Sequence, residues 1–314
     1  MGRKQNADAG SGRWKWAKRA LTVLFFVAVP LLLFTLLKNL DWHQVRQGLE
    51  SYKLSTLLTG VAIALASYFT YCGFDLLGRY YTGHTLRIWQ VVPITFVCYA
   101  FTLNLSSWVG GVALRYRLYS RLGLDVPTIT RILSLSLMSN WLGYMLLAGL
   151  VFSLGLLTLP AHWAIGTRSL QLIGAGLLLI VAAYVLACRY ARRRSWHIRR
   201  QEITLPTAKL AVLQIGLGAL NWSLMAALIY LLLPPNAFYP TVLGVLMISS
   251  IAGVITNIPA GLGVLEAVFI SLMQDQIPQS SLLAALIGYR AIYFLLPLII
   301  ALVMYLVIER QAKR

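Results

Sequence analysis

The sequence predicts an all-α, polytopic membrane protein with about six full spans and two re-entrant hairpins arranged as an inverted repeat. Its composition points to the membrane, because 59% of the 314 residues are hydrophobic and only 11% are charged. A soluble domain carries about 25% charged residues. Long apolar runs are the second observation, since a helix needs roughly 20 such residues to cross the hydrocarbon. Together they exclude a soluble globular domain, a disordered chain and a coiled coil.

Six segments are long and apolar enough to be full spans. They cover residues 19–37, 55–77, 129–157, 170–188, 208–233 and 282–308. The first follows a basic tail, residues 1–18, and no small-residue cleavage site comes after it. We therefore expect a retained signal anchor rather than a removed signal peptide.

Two further apolar stretches, residues 88–121 and 241–275, are interrupted near the middle by helix breakers. The breakers are Gly110 and Gly111 in the first stretch, and Pro259, Gly261 and Gly263 in the second. Since proline and paired glycines interrupt helices, each stretch is either one span plus a loop or a re-entrant hairpin.

The distribution of positive charge favours the hairpins. The chain carries 27 Lys and Arg against 9 Asp and Glu, a formal net charge of +18, and the basic residues cluster between the apolar segments. Positive charge accumulates in cytoplasmic loops, so this clustering indicates orientation rather than nucleic-acid binding. A full crossing of residues 88–108 would place the arginines of residues 115–121 in the periplasm. A hairpin keeps them cytoplasmic, together with both termini.

The same assignment divides the membrane region into two halves. Residues 19–157 and 170–308 each run span, span, hairpin, span, and they start on opposite sides of the membrane. Inverted repeats of this kind are common in secondary transporters. The predicted organisation is completed by the cytoplasmic tails 1–18 and 309–314.

Charged side chains within the spans are the candidate functional residues, because a charge in the bilayer is costly and rarely without a role. Arg290 lies about 12 Å into the last span, at 1.5 Å per residue, and Tyr293 falls near the same helical face. Its guanidinium either binds a lipid phosphate or pairs with an acidic partner. The alternative is a buried ion pair that only fixes helix packing.

Glu266 and Arg115 follow the two breaks in the chain. Glu266 is the carboxylate deep in the second half, and it is a counter-ion to Arg290 or Arg115, a proton-coupling group, or a structural partner. The glycines either leave backbone N–H groups open to an anion or allow tight packing. With Arg115 and Arg290 near such tips, the pattern favours an anionic headgroup such as a phosphate.

Nearer the interface, Asp75 is expected to pair with Arg79 four residues later, and Arg117 and Arg121 are expected to reach the headgroups. The three cysteines and four histidines have no metal-ligand spacing. No catalytic series and no ATP-binding loop is evident. We therefore predict no cofactor, no metal site and no enzymatic activity.

The residues 257–266, Asn-Ile-Pro-Ala-Gly-Leu-Gly-Val-Leu-Glu, and the Gly288-Tyr289-Arg290 of the last span resemble the lysylphosphatidylglycerol synthase transmembrane family, also called flippase-like. Residues 105–111 and 115–123 are similar to the same family's small inner-membrane members from Gram-negative bacteria. The resemblance covers nearly the whole chain. It implies a multi-pass bacterial inner-membrane protein of phospholipid metabolism, with translocation of an anionic phospholipid as the implied activity.

The residues and the resemblance together give one candidate substrate-binding set. It consists of Gly110, Gly111, Arg115, Pro259, Gly261, Gly263, Glu266, Tyr289, Arg290 and Tyr293.

Two departures from the family pattern limit what is carried over. The soluble aminoacyl-transferring domain of full-length synthases is missing, so synthesis of lysyl-phosphatidylglycerol is not expected. The first tip reads Trp108-Val109-Gly110-Gly111 where the family has Pro-Gly-Gly. Members of this kind tend to be encoded beside a cardiolipin synthase, so a non-transporting accessory protein that partners a phospholipid synthase is the alternative function. An intramembrane enzyme is disfavoured, because Glu266 stands almost alone as an acid–base group.

Overall fold

The structure is a computed structural model, and it describes residues 50, 52–105, 107–157, 166–191, 195–198, 201–256 and 261–311. The basic tail 1–18, the expected first span 19–37 and Pro259 lie outside the described residues.

Helices make up nearly all of the described chain. They are α1 (Leu54–Thr82), α2 (Ile88–Asn104), α3 (Leu114–Arg121), α4 (Val126–Ser153), α5 (Thr167–Tyr190), α6 (Ala208–Leu232), α7 (Tyr239–Thr256), α8 (Val264–Met273), α9 (Gln279–Tyr289) and α10 (Leu296–Gln311). Two π-helical segments, Ser107–Ala113 and Arg290–Leu295, lead into α3 and α10.

Within the described residues, six helices are long and apolar enough to cross a membrane. They are Leu54–Thr82, Val126–Ser153, Thr167–Tyr190, Ala208–Leu232, Tyr239–Thr256 and Gln279–Arg310. Five of them match spans expected from the sequence. The sixth, α7, was expected as one limb of a hairpin, and it is long enough to be a span by itself.

Helix boundaries follow local sequence signals. Helix α1 ends at Gly83, whose φ of 70° places it in the left-handed region, and the Gly83 N–H donates to the carbonyl of Arg79. This is a common way to end a helix, because glycine adopts that conformation without steric penalty. Helix α4 carries Pro127 in its first turn, where a missing N–H leaves no bond unmade. Helix α6 is capped by the Thr207 side chain, which accepts from the Leu210 N–H.

The packed centre is formed by α1, α4 and α6, with α5 lying against α4 and α6. Gly143 of α4 and Gly218 of α6 let these two backbones touch, since a Cβ atom on either would overlap the other helix's main chain. Small residues at such crossings are typical of membrane helices, where close van der Waals packing drives association.

The first interrupted stretch folds back on itself. A Cβ atom on Gly110 would overlap the backbone of Phe101 and Thr102, whereas residues eight apart in a straight helix are separated by about 12 Å. The chain therefore reverses direction between α2 and the π-helical segment that starts at Ser107. A helical hairpin is present here, and its position relative to the bilayer stays a prediction.

The second interrupted stretch also has a helix–break–helix form. Helix α7 ends at Thr256, and α8 begins after Gly261 and Gly263, whose φ angles are 56° and 78°. Only glycine adopts these angles readily. Helix α8 packs against α7. The relation of the two halves by an inverted repeat, and the domain boundaries drawn from it, stay predictions.

One short β-hairpin departs from the all-helical expectation. Ser195–Ile198 pairs with Gln201–Thr204 in antiparallel register, with Trp196 opposite Ile203. The segment was expected only as a basic cytoplasmic loop. Aromatic, β-branched and threonine residues favour strands.

Candidate functional site: two arginine–carboxylate pairs

Arg290 and Glu266 form a bidentate ion pair between the last span and α8. The Arg290 Nε donates to Glu266 Oε1 at 2.6 Å, and an Arg290 terminal nitrogen donates to Oε2 at 3.0 Å. The same nitrogen donates to the Gly261 carbonyl at 2.9 Å. Such fork-to-fork contacts are the strongest form of arginine–carboxylate bonding. Of the partners that the sequence left open for Glu266, the structure gives Arg290.

Local structure places both members of this pair. Glu266 lies in the first turn of α8, where the positive end of the helix dipole stabilises a carboxylate. Arg290 is the first residue of the π-helical segment, and its guanidinium lies 5.6 Å from the Phe294 ring centroid. Segments of π-helix inside α-helices occur frequently at functional sites. In this one, the Arg290 guanidinium contacts Glu266 of α8.

The pair is buried on one side and accessible on the other. The Arg290 side chain is 8% exposed and that of Glu266 is 18% exposed. Gly263 is exposed, and so are Ile255 and Thr256 at the end of α7. Glu266 is therefore the more accessible member of the pair.

Glycine is required at the two tips for different physical reasons. Gly110 is required by packing, because the returning limb lies directly on the α2 backbone, and Gly111 faces the Thr102 side chain. Gly261 and Gly263 are required by their positive φ angles, and no described atom lies within 4 Å of a Cβ built on either. The packing explanation therefore applies to the first tip and not to the second.

Arg115 belongs to a second ion pair, with Asp75 of α1. A terminal nitrogen of Arg115 lies 3.1 Å from Asp75 Oδ1, and both side chains are almost fully buried. Asp75 Oδ2 also accepts from the Tyr119 hydroxyl at 2.7 Å and from the Thr95 hydroxyl at 3.0 Å. The carboxylate thus joins α1, α2 and α3.

The expected pairing of Asp75 with Arg79 is wrong. Arg79 lies at the end of α1, and its Nε donates to the Leu86 carbonyl in the following loop. Asp75 points into the bundle instead. Asp75 was not among the site residues expected from the sequence, although a buried Arg115 requires a carboxylate partner. Asp75 is the one carboxylate within the described helices α1 to α4.

Tyr293 lies in a buried polar cluster rather than beside the Arg290 pair. Its hydroxyl is 2.7 Å from that of Ser67 and 2.9 Å from that of Tyr99, and Ser67 donates to the Asn221 side chain. The shared face expected from α-helical spacing is absent because the π-helical segment changes the register after Arg290. Tyr289 stacks on Tyr293 with ring centroids 5.3 Å apart.

Side chains from α1 and α2 satisfy the backbone of the π-helical segment. Tyr68 donates to the Tyr293 carbonyl at 3.1 Å, and Asn104 donates to the Phe294 carbonyl at 3.2 Å. Buried carbonyls need such partners. These bonds hold the segment that carries Arg290 against the first half of the chain.

A third carboxylate, Glu309 in α10, binds both remaining arginines of α3. Arg117 and Arg121 each reach one of its oxygens at 2.6 Å, and the Tyr305 hydroxyl donates to it at 2.9 Å. The structure adds this shared carboxylate as their partner, and their expected place at the headgroups stays a prediction. Sequence analysis missed Glu309 because it lies between an apolar span and the basic terminus.

The ten residues of the candidate substrate-binding set therefore do not all lie together. Arg290, Glu266 and Gly261 meet, Arg115 pairs elsewhere with Asp75, and Tyr289 and Tyr293 continue into the polar cluster. Gly110 and Gly111 support the first hairpin, and Pro259 lies outside the described residues.

Comparison with known proteins agrees with this architecture. Residues 20–301 match the family described as the lysylphosphatidylglycerol synthase TM region. The inner membrane protein YbhN of Escherichia coli (strain K12) is 48% identical over 303 residues, which are 96% of this chain and 95% of that protein. An uncharacterized Synechocystis protein is 29% identical over 287 residues, 90% of this chain and 89% of that protein.

A more distant relative carries an enzyme name. The phosphatidylglycerol lysyltransferase of Staphylococcus haemolyticus is 31% identical over 91 residues, which are 28% of this chain and 11% of that protein. The apolar helices and the named inner-membrane relative support a multi-pass inner-membrane protein. On the match over most of its length, the chain belongs to the lysylphosphatidylglycerol synthase transmembrane family.

Proposed function

We propose that this protein translocates an anionic phospholipid between the leaflets of the inner membrane. The observation that carries the proposal is the bidentate pair of Arg290 with the partly exposed Glu266 at the glycine-rich start of α8. A charged pair among apolar helices is rarely retained without a functional role.

The geometry suits exchange of one anion for another. A phosphate presents two oxygens to an arginine fork much as a carboxylate does, so a lipid headgroup can replace Glu266 on Arg290. The N–H groups and dipole of the first turn of α8 add further attraction for a phosphate. When no lipid is bound, Glu266 neutralises the buried guanidinium.

Translocation requires that the site open to each leaflet in turn. The broken helices and the π-helical segment Arg290–Leu295 are the elements that can change conformation, as discontinuous helices do in transporters. Arg115 is the proposed second contact for the headgroup. Because it is almost fully buried with Asp75, the headgroup reaches it only if α3 moves relative to α1.

The substrate class follows from charge and from one relative. Two buried arginines, Arg115 and Arg290, favour a headgroup with net negative charge. A relative that aligns with 91 residues of this chain is named phosphatidylglycerol lysyltransferase. We therefore propose phosphatidylglycerol or a similarly anionic phospholipid as substrate, with no cofactor.

Reconstituted protein tests the proposal directly. Liposomes with headgroup-labelled phosphatidylglycerol would be assayed by the fraction of label protected from an impermeant quencher. Wild type is expected to move the label, and Arg290→Ala and Glu266→Gln are expected to slow it by about tenfold or more, which corresponds to about 1.4 kcal/mol. Arg131→Ala, an exposed arginine of α4, is the matched control. A folded wild type that moves no anionic lipid would contradict the proposal.

The second candidate is an accessory protein that partners a phospholipid synthase. It is favoured by the similarity to a lysyltransferase in which the aligned region is a small part of the whole protein. Co-purification with such a synthase, combined with no lipid movement by the isolated protein, would support this function instead.

A further inference from the structure

A groove of about 720 Å³ lies between α2, α3 and α10, apart from both candidate ion pairs. Its walls are apolar side chains, among them Ile94, Leu118, Val303 and Val307. Its polar side chains, Gln90, Arg121 and Glu309, come from the ends of these helices. The volume falls within the range of small-ligand sites, about 300–1,000 Å³.

The polar end of the groove presents a partly exposed arginine. Arg117 and Arg121 both bind the carboxylate of Glu309, and Arg121 is the one of the two that lines the groove. The Arg121 side chain is 35% exposed, whereas that of Glu309 is 9% exposed. An anion at the opening therefore reaches Arg121 without displacing Glu309.

Aromatic and cationic residues beside the opening match a membrane interface. Trp89 lines the groove and is 71% exposed, and the Arg87 guanidinium lies 5.8 Å from the Trp89 ring centroid. Tryptophan is enriched at the level of the lipid headgroups. Arg87 adds a second positive charge on this side, and Glu309 is the one carboxylate among the groove's described lining residues.

We propose that this groove binds one anionic phospholipid, with the phosphate at Arg121 and an acyl chain along Val303 and Val307. The charge at the opening complements the headgroup, and the apolar walls complement the hydrocarbon. Val303 and Val307 are also exposed on the surface of α10, so an acyl chain enters from the bilayer without crossing water. The inference that the groove binds a lipid rests on this geometry. The further role of the groove, to bind lipid before it is transported, rests on the proposed function.

Native mass spectrometry of the full chain, with phosphatidylglycerol and phosphatidylcholine supplied together, tests the binding. Wild type is expected to retain phosphatidylglycerol preferentially. Val307→Trp fills the groove and is expected to reduce retention about tenfold, as is Val303→Trp on the same wall. Val212→Trp is the matched control, because Val212 is similarly exposed on α6 and does not line the groove.

The headgroup contact needs its own pair of variants. Arg121→Gln is expected to lower the preference for phosphatidylglycerol over phosphatidylcholine about tenfold, and Arg131→Gln is expected to leave it unchanged. Retention by both folded tryptophan variants at the wild-type level would overturn the inference. So would an unchanged preference in Arg121→Gln, or a photoreactive residue at position 307 that captures another protein instead of lipid.

The outcomes also separate this site from the transport site. Arg290→Ala is expected to keep phosphatidylglycerol in the groove while it loses lipid movement. If wild type moves lipid and the groove binds none, the groove inference fails and the proposed function stands. If the groove binds lipid and nothing is moved, the proposed function fails alone.

Discussion

Asp75 and Arg115 form a buried ion pair that ties the first long helix to the returning limb of the first hairpin, with 3.1 Å between Oδ1 and the guanidinium. Both side chains are almost inaccessible, and the second carboxylate oxygen is bonded by Tyr119 and Thr95. Three groups from α2 and α3 therefore depend on one carboxylate of α1.

Removing one member of this pair should be more damaging than removing both. Asp75→Ala leaves a buried guanidinium unpaired, which costs about 3–5 kcal/mol. We expect a large fall in the thermal unfolding midpoint for Asp75→Ala and for Arg115→Ala, and a double variant less destabilised than the sum. Arg79→Ala is the control, because Arg79 bonds only a loop carbonyl among its described hydrogen bonds. Additive losses in the double-mutant cycle would show that the two charges do not interact.

The Arg290–Glu266 pair makes a different prediction if a headgroup exchanges with the carboxylate. Glu266→Gln removes the competing anion, so phosphatidylglycerol should bind the purified protein more tightly, while transport becomes slower. A rise in affinity of about tenfold corresponds to about 1.4 kcal/mol. Titration of labelled phosphatidylglycerol in detergent would measure it.

A purely structural pair gives the opposite result. In that case Glu266→Gln lowers the unfolding midpoint without any gain in lipid affinity, because only packing is lost. Glu266→Asp separates the cases further, since it keeps the charge but shortens the reach to Arg290. Unchanged affinity in Glu266→Gln, with a lowered midpoint in both variants, would exclude anion exchange at this site.

Much of the helical architecture could be predicted from the sequence. Apolar length and the glycine breaks predicted five of the candidate spans and both helix–break–helix stretches, because bilayer thickness and helix geometry are strict constraints. The Glu266–Arg290 contact was among the pairings expected. Both groups lie in apolar segments of the second half, where each needs a partner of opposite charge.

Contacts between distant segments could not be predicted in the same way. The i+4 spacing favoured Arg79 for Asp75, but tertiary packing brings Arg115 there instead. Tyr293 was assigned by α-helical periodicity, which fails across the π-helical segment Arg290–Leu295. In the sequence, Glu309 belongs to a basic terminus that is expected to be solvated. In the structure, α3 lies against α10 and its arginines bind Glu309. Each error came from using local spacing where the partner is remote in sequence.

The glycines provide a test that separates packing from backbone conformation. Gly110→Ala and Gly218→Ala place a methyl group into neighbouring backbone, so both should lower expression and the unfolding midpoint markedly. Gly261→Ala meets no described atom but adopts a φ of 56°, which costs about 1–2 kcal/mol for a residue with a Cβ. Gly216→Ala is the control, because it lies on a helix surface with open space around it. A midpoint for Gly110→Ala equal to that of Gly216→Ala would contradict the tight contact of the first hairpin.

The orientation of the first hairpin can be tested by cysteine accessibility. The three native cysteines are buried, so a single exposed cysteine at Ser120 of α3 reports on one side of the membrane. If α2 and the returning limb re-enter from the cytoplasm, Ser120→Cys should react only after the inner membrane is opened. Asn236→Cys, in the exposed uncharged loop between α6 and α7, should react from the periplasm in intact cells. Labelling of Ser120→Cys in intact cells by an impermeant maleimide would show that residues 88–108 cross the membrane fully, and would place Arg117, Arg121 and the groove beside them at the periplasmic interface.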